Sequence, residues 1–155
     1  MHRELYNKKT PAQIIKYVVD KEEPINVDYL LKRICFMYGR TKVTNVVRDL
    51  FNKDLETLDL IYENNYLMTK HPQDMSLRIP SDRMIEQIHT KELEDAIYKV
   101  VKKSNGITKE GCFKAVVKLL GYNRMSENAV KCLEDSLIYL KLNGKIVEKQ
   151  DCLYV

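Results

Sequence analysis

Ile14–Gly39, IIKYVVDKEEPINVDYLLKRICFMYG, and Ala96–Gly121, AIYKVVKKSNGITKEGCFKAVVKLLG, run in parallel without a gap at an offset of 82 residues. Ile15 meets Ile97, Val18 and Val19 meet Val100 and Val101, Ile25 meets Ile107, Lys32 meets Lys114, and Gly39 meets Gly121. Matched spacing over two helical patterns and the turn between them is the mark of a duplicated unit. Beyond the glycines the reading slips by one, setting Val46, Val47 and Leu50 against Ala129, Val130 and Leu133.

Each copy reads as three helices and a hairpin. In the second, Thr90 is the expected N-cap of a helix whose apolar face is Leu93, Ile97, Val100 and Val101, and Asn105-Gly106 ends it. Ile107 is a short extended residue, and Thr108 caps a second helix with Phe113, Val116, Val117 and Leu120 inward. Gly121 stands where a left-handed C-cap is expected. Ser126 caps a third helix with Ala129, Val130, Leu133, Leu137 and Leu140 inward, and KIVEKQDCLYV turns through Glu148–Asp151 as a hairpin. The first copy repeats the plan, with Ile14, Ile15, Val18 and Val19, then Tyr29, Leu30, Ile34, Cys35 and Tyr38, then Val43, Val46, Val47, Leu50 and Phe51 as its three stripes. Pro24 breaks its first helix, and Asn64-Asn65 centres its hairpin. The fold class expected is mainly α with small β-hairpins, as tandem winged helix-turn-helix units. The first unit covers residues 1–70 and the second 88–155, with a linker arm over 71–87 whose His71, Arg78 and Arg83 could line a groove.

With 26 Lys and Arg against 22 Asp and Glu the formal charge is +4, divided evenly between the halves, so nucleic acid is permitted but not demanded. No apolar run approaches the ~20 residues of a membrane span, and MHRELYNKKT lacks the apolar stretch of a signal peptide. A cytoplasmic protein is expected. Cys35, Cys112, Cys132 and Cys152 lack metal-ligand spacing and read as free thiols in apolar surroundings.

YGRTKV, at Tyr38–Val43, looks like a truncated phosphate-binding loop, yet it follows a helix, has one glycine and lacks the Lys-Ser/Thr ending. It joins helices. His2, His71 and His89 are scattered outside the repeated cores, and no nucleophile, general base, metal or cofactor site is legible, so the chain by itself is expected not to be an enzyme. Nucleic-acid contact is the better-supported class. The third helix and preceding turn of the first unit offer Arg40, Lys42, Asn45, Arg48 and Lys53, and the second unit offers Arg124 and Lys131 more weakly. Asp49, Glu56, Glu127, Glu134 and Asp135 on the same helices oppose sequence-specific reading. The rival class is a protein-interaction or dimerisation scaffold, motivated by ten Tyr against three Phe.

The pattern EL..AI..VV....GI, then LLG..R, then GKI is carried by Glu92-Leu93, Ala96-Ile97, Val100-Val101, Gly106-Ile107, Leu119-Leu120-Gly121, Arg124 and Gly144-Lys145-Ile146. It resembles an uncharacterised bacterial module found toward the C-terminus of large superfamily 1 helicase-like proteins, also described as restriction-endonuclease-associated. Glu22–Val43 resembles the same module, with Pro24 in place of the glycine and the arginine moved to Arg40. The resemblance implies a nucleic-acid context and a helicase or nuclease partner. It transfers no activity, because neither helicase nor nuclease motifs occur in the chain.

Overall fold

The computed structural model describes residues 9–72, 77–78 and 82–155. The chain divides into two compact units, Met1–Asp74 and Met75–Val155, each mainly helical with one small antiparallel sheet.

The first unit begins with α1 (Pro11–Glu22), which Thr10 starts by accepting the Gln13 backbone N–H while the Gln13 side chain accepts from the Thr10 N–H. This reciprocal capping satisfies two of the donors a helix start leaves open. Next come β1 (Ile25–Asn26) and α2 (Val27–Met37), the latter capped by the buried Asn26 side chain at 3.1 Å from the Tyr29 N–H. Thr44 caps α3 (Asn45–Glu56), and β2 (Ile61–Glu63) and β3 (Tyr66–Met68) form the hairpin. Both turn residues, Asn64 and Asn65, have positive φ, as the tight hairpin turn with the strand's own twist requires. The order β1-β3-β2 adds a feature that the sequence reading did not contain. The short segment after the first helix completes a three-stranded sheet, Ile25 facing Leu67 across the ladder. Ile14, Ile15, Val18, Val19, Leu30, Leu31 and Leu67 are the heart of this core.

The second unit repeats this order as α4 (Thr90–Ser104), β4 (Ile107–Thr108), α5 (Lys109–Leu119), α6 (Glu127–Leu142), β5 (Val147–Lys149) and β6 (Cys152–Tyr154), with sheet order β4-β6-β5. Its N-cap is His89 rather than Thr90: Nδ1 of His89 accepts the Lys91 N–H at 3.1 Å. A 3-10 turn at Ile85–Gln87 precedes it, and Ile85 and Ile88 are buried in the second core with Leu77 packed against them. The described part of the arm from Leu77 onward therefore packs on the second unit. Where the first unit turns through a cis Glu23–Pro24 bond, the second uses positive φ at both Asn105 and Gly106.

Three further sequence assignments are corrected. Val46 and Leu50 do not belong to the buried face of α3: they are 67% and 57% exposed, and Phe51 is the buried residue, with Val47, Leu55 and Leu58 packed beside it. The 82-residue offset does not slip at the glycines, because α2 and α5, and the starts of α3 and α6, all keep it. Val47, Phe51, Leu55 and Leu58 thus match Ala129, Leu133, Leu137 and Leu140, which are all buried. The offset changes later, to 86 at the hairpins, because α6 has 16 residues and α3 has 12. Four residues make about one helical turn, so the insertion keeps the same face inward. Tyr38, assigned to the α2 stripe, is exposed, whereas Leu120 at the matching position of the second unit is buried.

Candidate nucleic-acid interface

The turn between α2 and α3 answers the question posed by YGRTKV. Gly39 has φ +71, the Arg40 N–H donates to the Cys35 carbonyl at 2.9 Å, and the Gly39 N–H donates to the Phe36 carbonyl at 3.0 Å. Gly121, φ +81, does the same with Tyr122 bonding Val117. A left-handed residue closing the last carbonyls is a helix C-cap. The N–H groups point back into the helix instead of outward at a phosphate.

What the turn does present is charge. Arg40 and Lys42 are exposed, Asn45 opens α3, Lys53 lies in its last turn, and among the described residues no carboxylate pairs with any of these cations. Arg48 differs. Its Nη1 lies 3.2 Å from Asp28 Oδ1, Asp28 Oδ2 accepts from Asn65 Nδ2 at 2.7 Å, and Asn65 Oδ1 accepts from the Tyr62 hydroxyl at 3.1 Å. The arginine ties the third helix to the start of α2 and to the hairpin, so part of its charge is already answered. Arg40, Lys42 and Asn45 are brought together at the start of α3, with Lys53 two turns further along.

The second unit is poorer in free cations. At the positions matching Arg40, Lys42, Asn45, Asp49 and Lys53 it has Tyr122, Arg124, Glu127, Lys131 and Asp135. Arg124 and Lys131 are exposed and without an ion pair among the described residues. Lys109 pairs with Glu134 at 3.0 Å, and Lys141 of α6 pairs with Glu148 of β5, holding that carboxyl below its usual range. Tyr122 is turned inward, its hydroxyl donating to the Arg83 carbonyl at 2.5 Å.

Arg78 and Arg83, the arm's candidate groove charges, are both engaged by an acid of the second unit. Both converge on Glu92, whose side chain is fully buried: Arg78 Nη2 lies 2.5 Å from Oε1, and Arg83 reaches Oε1 and Oε2 through its two Nη atoms, each at 3.2 Å. The Leu77 N–H adds a 2.9 Å bond to Asp95 Oδ2. Sequence reasoning missed this clamp because a glutamate in the first turn of an amphipathic helix ordinarily reads as a solvated, dipole-favoured charge. Two arginines within a polar arm were its only trace in the sequence.

Among the described residues no group of His, Cys, Asp and Glu could hold a metal ion, and no helix is long and apolar enough to cross a membrane. His71 is exposed, and His2 lies outside the described residues. Cys35 and Cys112 are buried, Cys132 and Cys152 half-buried, and all four are free thiols. Burial pushes the Cys112 thiol up to about 11 and the Tyr122 phenol up to about 12, the latter against the opposing pull of Arg83. Both groups are held neutral and are poor nucleophiles at ordinary pH. The shift carries a stability consequence. An unfolded thiol titrates near 9.0, so the stability that Cys112 contributes is present below that pH and is lost as pH rises toward about 11. Urea midpoints measured between about pH 8 and pH 11 are expected to fall, and those of Cys112→Ala to fall less steeply than wild type. An equal decline in both proteins would remove Cys112 as a cause.

No family model, curated protein or solved structure matches the chain.

Proposed function

We propose that the two units are winged helix-turn-helix modules and that the first contacts the DNA backbone without strong sequence preference. The chain would thus serve as a non-catalytic accessory. The helix–strand–helix–helix–hairpin order, with β1 joining the hairpin sheet, supports the architecture. The exposed Arg40 and Lys42 beside the start of α3, unpaired among the described residues, are the observation that carries the function. Cations at a helix N-terminus meet phosphates where backbone donors and the helix dipole already favour negative charge. Lys53 extends the binding surface of the first unit, Arg48 joins it at the expense of its bond to Asp28, and Arg124 and Lys131 are the weaker counterparts on the second unit taken by itself. Asp49 and Glu56 on α3, and Glu127 and Asp135 on α6, disfavour base reading, which supports positioning over specificity. A helicase or nuclease domain as the working partner belongs to the same proposal and rests on the motif likeness of the sequence alone.

Anisotropy titration of labelled duplex across a salt series tests the reading. Affinity is expected to fall steeply with salt and to be similar for unrelated sequences. Arg40→Ala with Lys42→Ala should reduce the log–log salt slope by about 0.9 for each phosphate that the variant no longer neutralises. Absence of binding near 50 mM salt at about 100 μM protein, or an unchanged slope in the variant, would reject it.

The second reading, a protein-interaction scaffold without DNA contact, is favoured by one observation: Phe36, at 79%, and the outward pair on α3 are more exposed than apolar side chains of a self-contained unit need be.

A further inference from the structure

Val46 and Leu50 stand on the outer face of α3, and Lys53 continues that face three residues on. On α6 the residues Asp135, Ile138 and Leu142 stand together on an outer face, Ile138 being 54% and Leu142 81% exposed. Residues four and then three apart fall within a narrow stripe of a helix. Val46, Leu50 and Lys53 have that four-then-three spacing along α3, and Leu142, Ile138 and Asp135 have it along α6 read backwards. Lys53 and Asp135 are both exposed, and neither has an ion pair among the described residues.

We propose that the chain self-associates by laying α3 of one copy antiparallel against α6 of a second copy. Val46 packs on Leu142, Leu50 on Ile138, and Lys53 pairs with Asp135. A parallel arrangement would set Val46 on Asp135 and Lys53 on Leu142, burying each charge against an apolar side chain. Pairing α3 with α3 would leave Lys53 beside the half-buried Val43, and pairing α6 with α6 would carry Asp135 beyond the end of the helix at Leu142. Only the heterologous contact satisfies both apolar pairs and both charges. Such a contact uses different surfaces on its two sides, so it closes a dimer or extends a chain of copies. Lys53 belongs both to this contact and to the DNA surface proposed above, and Lys131 borders the contact on α6, whereas Arg40 and Lys42 lie outside the packed stretch. Association is therefore read without DNA, and the Arg40/Lys42 variant tests DNA binding separately.

The contact is at the small, weak end of protein interfaces, so sedimentation is read from about 10 to about 500 μM protein without DNA. The mass of wild type is expected to rise with concentration. Leu50→Asp alone and Leu142→Asp alone should each remain monomeric. An equimolar mixture of the two should associate again, because one retains an intact α6 face and the other an intact α3 face. Lys53→Glu should weaken association several-fold and Asp135→Lys in the same chain should restore it. Both leucines are exposed, so circular dichroism and Tm should not change in their variants. A monomeric wild type at the highest concentration, association by either single variant alone, or failure of the mixture would each overturn the proposal. A monomer that instead binds an unrelated partner through α3 falls under the first of these.

Discussion

Arg83→Ala is expected to lower the stability of the second unit by about 3–5 kcal/mol in urea unfolding, among the largest losses at any polar position. The reason is what remains behind. Glu92 has no solvent access, and Arg83, only 9% exposed, supplies two of its charge-assisted bonds. Removing that guanidinium leaves a buried carboxylate with Arg78, itself 33% exposed, as its remaining cation among the described residues. Lys99–Asp95, a surface pair at 2.7 Å, contributes only about 0–1 kcal/mol by comparison, because water competes for both ends. Salt separates the two cases: the cost of Arg83→Ala should persist at about 1 M salt, where surface pairs are screened. Arg83→Lys should recover part of the loss, since an ammonium is a single point of charge and cannot reproduce a planar two-point contact. A loss below about 1 kcal/mol would mean that water already reaches Glu92.

Leu133→Ala is expected to cost about 2–5 kcal/mol, the transfer of the deleted methyl groups plus the cavity they leave. Leu133 is fully buried in the middle of the α6 face, among Ala129, Leu137 and Leu140. The size of the loss depends on how far its neighbours collapse, and Val116, Val117 and Ile97 belong to helices that meet α6 in the same core. Leu50 is the control. A one-residue slip would have made it the counterpart of Leu133, yet it is exposed, and Leu50→Ala should change stability by no more than about 0.5 kcal/mol. Similar losses at Leu50 and Leu133 would restore the slipped alignment and overturn the α3 register.

The sequence by itself determined the duplication, the helices and their order, and the helix-capping role of Gly39 and Gly121. These are local: a cap, a 3.6-residue period and a left-handed glycine each express themselves within a turn or two of chain. Only the tertiary structure decided the face of α3. VVRDLF offers two overlapping apolar stripes, Val46–Leu50 and Val47–Phe51, and propensity does not distinguish them. The core that α1 presents selects Phe51 and turns Val46 and Leu50 outward. The third strand of each sheet was at most half legible: Ile107 reads as extended, but its pairing, like that of Ile25, does not, since a two-residue strand exists only through its partner across the ladder. The candidate interface divided along the same line. Arg40 and Lys42 were readable because both stay exposed and, among the described residues, no carboxylate pairs with them. Arg48, Arg78 and Arg83 carry the same charge in the sequence, but carboxylates brought to them from 9 to 20 residues away claim those charges. Which cations stay free is decided by where the acids fold, and that is a property of long-range packing.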